Sequence, residues 1–367
     1  MNLRFWKRKS AKHKETQPKS AWREWGDAVM FAVVAATIIR WATFEAYAIP
    51  TSSMEKSLQV GDYLFVSKLH YGSRTPLTPL QVPLTHQTIW GTDIPSYSDA
   101  VQLPSFRLPG FSEVKHNDAV VFNYPPDKGH PIDLKTYYIK RCVAVAGDTL
   151  EIRDMQIYIN GKAADNPAQR QYQYFIATDK VLSNKFFHDR DITDFYAIQG
   201  GYMAHTSPAK AKSLASLDIV QQVELQKLLP GQAEPGVFPQ KPGKYKWNRD
   251  NYGPLYIPAA GQTVAINPNT LPLYEKLILA YEGNHSAEVK DDVLFIDGVQ
   301  ADSYTFKQNY YFMMGDNRHN SEDSRYWGFV PEDHVVGKAV LVWMSADPAA
   351  DGLLDKIRWN RLFQRID

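Results

Sequence analysis

Two serines, Ser52 and Ser53, stand side by side in "AIPTSSMEKSLQVGDYLFVSK", residues 48–68, a stretch that contains no histidine. A serine hydroxyl becomes a useful nucleophile only when a neighbouring base removes its proton. Two other segments, far away along the chain, hold groups able to take part. One is Tyr138-Ile139-Lys140-Arg141, followed by Gly147-Asp148; the other begins at Gly315 and reads "GDNRHNSEDSRYWG". A lysine at its free pKa of about 10.4 is protonated and useless as a base. Burial favours the neutral amine, and lowering the pKa to roughly 7–8 costs about 3–5 kcal/mol. Lys140 lies in "YYIKRCVAVAG", an apolar run that reads as a buried strand, so the chain can supply that setting. Taken singly these signals are weak: a serine pair is usually surface loop, and a strand lysine is usually snorkelling or ion-paired. The run from Gly315 is too long and too polar to be a chance turn. With ten histidines in the chain, a Ser-His-Asp arrangement is the competing chemistry. His319 is nearest to a motif, but its charged turn predicts a solvent-facing ring.

The elements that must hold these groups read mainly as strands. "YLFVSK", "AVVFNYP", "YYIKRCVAVAG", "TLEIRD", "QIYING", "TVAINP", "VLFIDG", "YYFMMGD" and "AVLVWMS" are β-branched and aromatic runs bounded by Gly, Asp, Asn and Pro. Asn160-Gly161 and Asp297-Gly298 are hairpin-turn dipeptides. The clearest helix outside the N-terminal region is "LPLYEKLILAYEG", residues 271–283, closed by Gly283. The fold class expected is a mostly antiparallel β domain with a few short helices. Stretches 73–112 and 164–250 show weak periodicity and are expected to be long loops and a variable insert. The single cysteine, Cys142, rules out an intramolecular disulfide and argues against a Cys-based zinc site.

Ahead of the strands, residues 1–23 carry eight basic groups against one acid, Glu15, a charge of +7 in a chain whose net charge is +1. Next comes an apolar run, Asp27 to Ala48, of which only Ala28 to Ile39 is wholly uncharged. That is short for a membrane span, which needs about 20 residues. Arg40 can snorkel from near the helix end, and Trp25 and Trp41 sit where interfacial aromatics belong. The boundaries expected are a basic cytoplasmic head over 1–26, a transmembrane helix over 27–47, a β-rich domain outside the membrane over 48–347 with a variable second subdomain at about 150–308, and a basic amphipathic tail over 348–367. In that tail Trp359, Leu362, Phe363 and Ile366 fall on one helical face, opposite Arg358, Arg361 and Arg365. Two blander readings compete for the apolar run. One is a cleaved signal peptide ending at Ala46-Tyr47-Ala48; the other is a buried helix of a cytoplasmic protein.

As a set and in this order, the three segments resemble the type I signal peptidases, the bacterial leader peptidases, which are membrane-anchored Ser–Lys endopeptidases. The resemblance covers the membrane helix and residues 48–72, 116–148 and 310–346. It implies that Ser53, immediately before Met54, is the nucleophile and Lys140 the general base. It also implies that the Thr51 hydroxyl helps form the oxyanion hole and that Ser321 hydrogen-bonds the lysine. Asp316 with Arg141, and Asp323 with Arg325, correspond to supporting ion pairs. Ile49, Met54, Tyr138 and Ile139 correspond to the apolar pockets that accept small residues before the cleaved bond. Two positions depart from the family pattern: Lys56 stands where the motif usually has proline, and Tyr137 stands three before the lysine where an acid is often found.

The implied activity is removal of signal peptides from exported preproteins after Ala-x-Ala, without metal, nucleotide or other cofactor. The implied setting is the bacterial plasma membrane, crossed once with the N-terminus inside. The partners are the signal peptides and the lipid bilayer, with no nucleic acid, and the protein is a monomer in the membrane. The rivals are a Ser–Lys self-cleaving repressor-type protease and a membrane-tethered binding module with an inert site.

Overall fold

The computed structural model describes residues 20–348, 350, 352 and 356–366. Most of the basic head, residues 1–19, therefore lies outside the described residues. The first element among the described residues is a helix, α1 (Ala21–Ala42), whose 22 residues include no buried one. It is long and apolar enough to cross a membrane. The helix ends earlier than the apolar run suggests. Residues 44–47, read as the end of the transmembrane helix, instead belong to strand β1 (Phe44–Ala48). Their alternation explains this: Glu45 is buried on one face while Phe44, Ala46 and Ala48 are exposed on the other.

Three contacts tie the last turn of α1 to the β domain. Trp41 Nε1 donates to the Arg74 carbonyl at 2.7 Å, and Ser73 Oγ donates to the Ala42 carbonyl at 2.7 Å. Arg40 does not simply snorkel; its Nε donates to the buried Glu45 carboxylate at 2.5 Å, which Lys68 also approaches at 2.8 Å.

Among the described residues the largest sheet has eight strands. β1 pairs antiparallel with β2 (Asp62–Ser67), and β2 with the long strand Val335–Ser345. That strand pairs with β3 (Ala119–Asn123), β3 with β4 (Tyr137–Ala144), and β4 with strand Tyr310–Met314. The fold is mostly antiparallel β. One apolar core beneath the sheet joins Ile49, Met54, Leu58, Leu64, Val66 and Val121 to Val336, Ala339 and Val342. Burying each such side chain contributes about 1.5–3 kcal/mol, and this core seats the 48–58 segment.

Two regions differ from their sequence reading. Stretch 164–250 is a folded subdomain, not loops: strands Gln222–Leu225, Tyr172–Ala177, Gly201–Thr206 and Asp194–Ile198 form an antiparallel sheet in that order. Helices Asn184–His188 and Pro208–Leu214 accompany it, and Ile176, Phe187, Ile192, Ala204 and Leu214 make its core. The second difference is the tail, whose described residues form no α-helix. It forms a single 3-10 turn, Trp359–Arg361, and a short strand, Gln364–Arg365, paired with Val335–Ser345. Arg361 is buried against Asp62, and that pairing overrides the helical spacing. Elsewhere the punctuation is as read: the helix is Leu271–Ala280, with Gly283 at φ 58°. Asn160-Gly161 and Asp297-Gly298 both adopt positive φ.

Candidate active site

Ser53 lies in a single 3-10 turn, Ser52–Met54, directly after the edge of the main sheet. Lys140 comes from the middle of β4, whose C-terminal half is buried. The two side chains meet although 87 residues separate them: Lys140 Nζ is 2.7 Å from Ser53 Oγ. Lys140 is 4 % exposed and Ser53 8 %. Burial pushes the Lys140 amine down to about 8, against the upward pull of the Asp323, Glu322 and Asp316 carboxylates. Its other hydrogen bond goes to its neighbour's carbonyl, Ile139 O, at 3.1 Å.

The run from Gly315 packs behind the serine turn. Asn317 N donates to the Ser53 carbonyl at 3.0 Å, and Asn317 Nδ2 to the Ser52 carbonyl at 3.3 Å. Gly315 is needed for this approach: a Cβ there would meet the Ser53 carbonyl oxygen at 2.5 Å and run into the Ser321 side chain. Two buried guanidinium–carboxylate pairs brace the run. Arg141 Nε and Nη2 hold Asp316 at 2.7–3.0 Å, and Arg325 holds Asp323 at 2.7 and 2.9 Å. Burial pushes the Asp323 carboxyl up, but Arg325 outweighs it and keeps it below its usual value. Asp323 Oδ2 also accepts the Gly315 N–H at 3.0 Å.

A cleft of about 710 Å³ opens over Ser53 and Lys140. Ile49, Thr51, Ser52, Tyr138 and Ile139 line it, and Ala46 to Ala48 of β1 form one wall. His86 and Gln87 from the 73–112 segment close another side; sequence reasoning gave these two no role, since nothing local marks them. Thr51 makes no capping hydrogen bond with its side chain and is exposed towards the cleft. A second cleft of about 650 Å³ adjoins this one, sharing Arg40, Glu45 and Tyr137 and reaching Thr37 on α1.

Three expected placements differ. Met54 is not among the cleft-lining residues; it is 1 % exposed and points into the apolar core with Leu58 and Leu64. The Ser321 hydroxyl is buried but makes no hydrogen bond to Lys140; it lies near Asp323 and helps hold that carboxyl down. His319 is not solvent-facing. Its buried ring accepts from Gln173 N at Nδ1 (3.2 Å) and bonds Asp250 Oδ1 through Nε2 at 2.8 Å. Both ring nitrogens are therefore engaged away from the serines, and burial pushes the imidazole pKa down against the pull of Asp250. Among the described residues, no group of three or more His, Cys, Asp or Glu side chains could hold a metal ion.

The model of the family described as signal peptidase, peptidase S26, matches residues 22–216 and 256–344. The chain belongs to that family. Among curated relatives, it is 26 % identical to the signal peptidase I of Buchnera aphidicola subsp. Acyrthosiphon pisum over 90 % of this chain and 77 % of the relative. It is 24 % identical to that of Haemophilus influenzae over 92 % and 74 %, and 24 % identical to that of Helicobacter pylori strain J99 over 91 % and 90 %. This chain is accordingly a peptidase of the signal peptidase I type. The matched segments of the peptidase include all three motifs and α1 from Trp22 onward.

Proposed function

We propose that the protein removes signal peptides from exported preproteins after Ala-x-Ala, using Ser53 as nucleophile and Lys140 as general base. The observation that carries this is the 2.7 Å contact between Lys140 Nζ and Ser53 Oγ on the floor of a largely apolar cleft. The neutral amine takes the Ser53 proton as Oγ attacks the carbonyl carbon of the scissile bond. The oxyanion that forms is met by the Ser53 backbone N–H and the Thr51 hydroxyl, each contributing about 3–4 kcal/mol when well placed. The Lys140 ammonium then gives its proton to the leaving amine, and the bond to Ser53 becomes an ester. Water, deprotonated by Lys140, hydrolyses that ester and restores the serine. Ile49, Tyr138 and Ile139 shape a shallow pocket in which large side chains clash and alanine fits. The pairs Asp316–Arg141 and Asp323–Arg325 hold the run that backs the serine, and Ser321 fills the space beside Gly315.

The same reading sets the protein in the bacterial plasma membrane as a monomer. The basic head over 1–26 lies in the cytoplasm and the peptidase domain, 48–347, outside, with a second subdomain inside it. Retention of the helix is supported by β1, since cleavage after Ala48 would remove an edge strand paired residue for residue with β2. The decisive experiment is cleavage of a purified preprotein. Ser53→Ala should abolish it and Ser52→Ala should leave most of it; comparable losses would sink the assignment of the nucleophile.

A further inference from the structure

The second subdomain reaches the serine turn indirectly and on both sides through one short edge, Asp191 to Asp194, by way of Lys56 and of Asn317 and Asn320. On the C-terminal side of Ser53 stands Lys56, at the position where the family motif has proline. Its backbone lies at φ 73°, a conformation closed to proline, whose φ is held near −65°. Its side chain is 4 % exposed and extends out of the main domain to Asp191, with Nζ to Oδ1 2.7 Å. Thr193 Oγ1 accepts from the same ammonium at 3.3 Å and donates to Glu55 Oε1 at 3.0 Å. On the other side, Asp194 Oδ2 accepts from Asn320 Nδ2 at 2.8 Å and from Asn317 Nδ2 at 3.3 Å. Those two asparagines also bond the serine turn: Asn317 at the Ser52 and Ser53 carbonyls, Asn320 at Ser52 Oγ at 3.3 Å.

We infer that the Asp191–Asp194 edge is a positioning element of the active site, holding Ser53 in line with Lys140 through Lys56 on one side and Asn317 and Asn320 on the other. The physical case rests on geometry. Ser53 Oγ must stay within hydrogen-bond reach of an amine fixed in β4, yet it sits on a single 3-10 turn with little regular structure of its own. A buried ammonium is costly unless it is paired and hydrogen-bonded. Lys56 therefore holds its position only while Asp191, Thr193 and Glu55 surround it. Where proline would give local rigidity, this chain has a lysine that ties the turn to another subdomain. Lys56, Asp191 and Asp194 are positioning residues, not catalytic ones, since none touches the reacting atoms.

The inference rests on the proposed role of Ser53, and the test separates the two. The variants are Lys56→Met, Asp191→Gly and their double, made in the full-length, detergent-solubilised protein and assayed on a preprotein. Asp191 has a 60 % exposed side chain and a backbone at φ 53°, where glycine is free of strain, and its other ion pair, with the part-exposed Lys210, contributes little to stability, so Asp191→Gly keeps the fold even if Lys56→Met does not. Each single change should lower kcat roughly 10- to 100-fold, the scale of a ~1 Å misplacement, with KM moved less than about twofold. The double should be no worse than Lys56→Met alone, because Asp191 reaches the serine turn through Lys56. The pH midpoint of kcat should stay at the wild-type value, since neither residue touches Lys140. Lys227→Ala, which breaks an exposed pair with Asp154 elsewhere in the subdomain, should leave kcat unchanged. If Ser53→Ala is inactive while Asp191→Gly keeps wild-type kcat, the positioning role is wrong and the nucleophile stands. If Ser53→Ala still cleaves, the reading of the nucleophile fails first.

Discussion

A lysine that must be neutral to work is a lysine the fold would rather not bury. The Lys140 amine is pushed from 10.5 down to about 8 by burial, with only partial relief from three carboxylates. Two outcomes follow. Activity should rise with pH through a midpoint near 8 and then stay high, because only the neutral amine accepts the Ser53 proton. A midpoint near the free-lysine value of about 10.4 would remove Lys140 from the base role. The second outcome concerns stability. The folded-state pKa is lowered, so below pH 8 the protonated amine is held at a cost of about 3 kcal/mol, and this cost fades between pH 8 and 10.5 as the unfolded chain also loses its proton. Lys140→Met should therefore be inactive yet more stable than wild type at pH 7, by up to about 3 kcal/mol, with the gain shrinking as pH rises. Chemical unfolding at pH 7 and pH 10 checks this; a variant less stable than wild type at both would show that the amine's hydrogen bonds outweigh its burial. At this scale the sequence was informative wherever a motif names a residue type. Ser53, Lys140, Asp316, Arg141, Asp323 and Arg325 meet in the pairs that the family resemblance implies. It was silent where a partner is remote. Asp250 lies 69 residues from His319, so nothing local could show that the ring is buried, and Met54 follows the serine yet turns inward because the core under the sheet needs its side chain.

At the scale of elements, the strands that carry the site were visible as apolar runs, whereas the subdomain over 164–250 was not. The reason lies in its strand Tyr172–Ala177. Burial alternates along "YQYFIA", but its outward positions include Phe175, which hides the period-2 signal. The subdomain also carries the sharpest element-level prediction. Restoring the family proline by Lys56→Pro looks conservative by motif but is not conservative here. The φ of 73° is out of proline's reach, so the turn after Ser53 must rearrange and the tie to Asp191 is lost. Preprotein cleavage should fall more than about tenfold, on the scale of a ~1 Å misplacement. Stability should drop by about 1–3 kcal/mol, the cost of a displaced strained backbone. Wild-type cleavage by Lys56→Pro would mean that the turn is soft and the left-handed residue incidental. A parallel case is Gly315→Ala, whose Cβ would press on the Ser53 carbonyl and on Ser321, and whose kcat should fall with little change in KM.

At the scale of the whole molecule, the chain returns to its beginning. The tail, read from its spacing as an amphipathic helix, is instead tied to the start of β2. Arg361 Nε and Nη2 hold Asp62 at 3.0 and 2.5 Å, Gln364–Arg365 adds a short strand beside Val335–Ser345, and Ile366 packs on the core beneath Ile49 and Leu64. Trp359 and Phe363 remain exposed, so the helical stripe that the sequence displays is split between core and surface. Asp62 is fully buried, a few residues beyond the segment that carries Ser53, and its Oδ2, which accepts from Arg361 Nη2, also accepts from Gln59 N at 2.7 Å. Removing its cationic partner leaves a buried carboxylate uncompensated, which typically costs about 3–5 kcal/mol. Arg361→Met should therefore destabilise the domain by about that amount, measured by denaturant unfolding of the detergent-solubilised protein. Adding Asp62→Asn should recover part of the loss, because the neutral amide no longer needs a cation and can still accept from Gln59. The double variant is the discriminating measurement. If the tail were a surface appendage, Arg361→Met alone would cost under about 1 kcal/mol, the value of an exposed pair, and Asp62→Asn would add to that loss instead of relieving it.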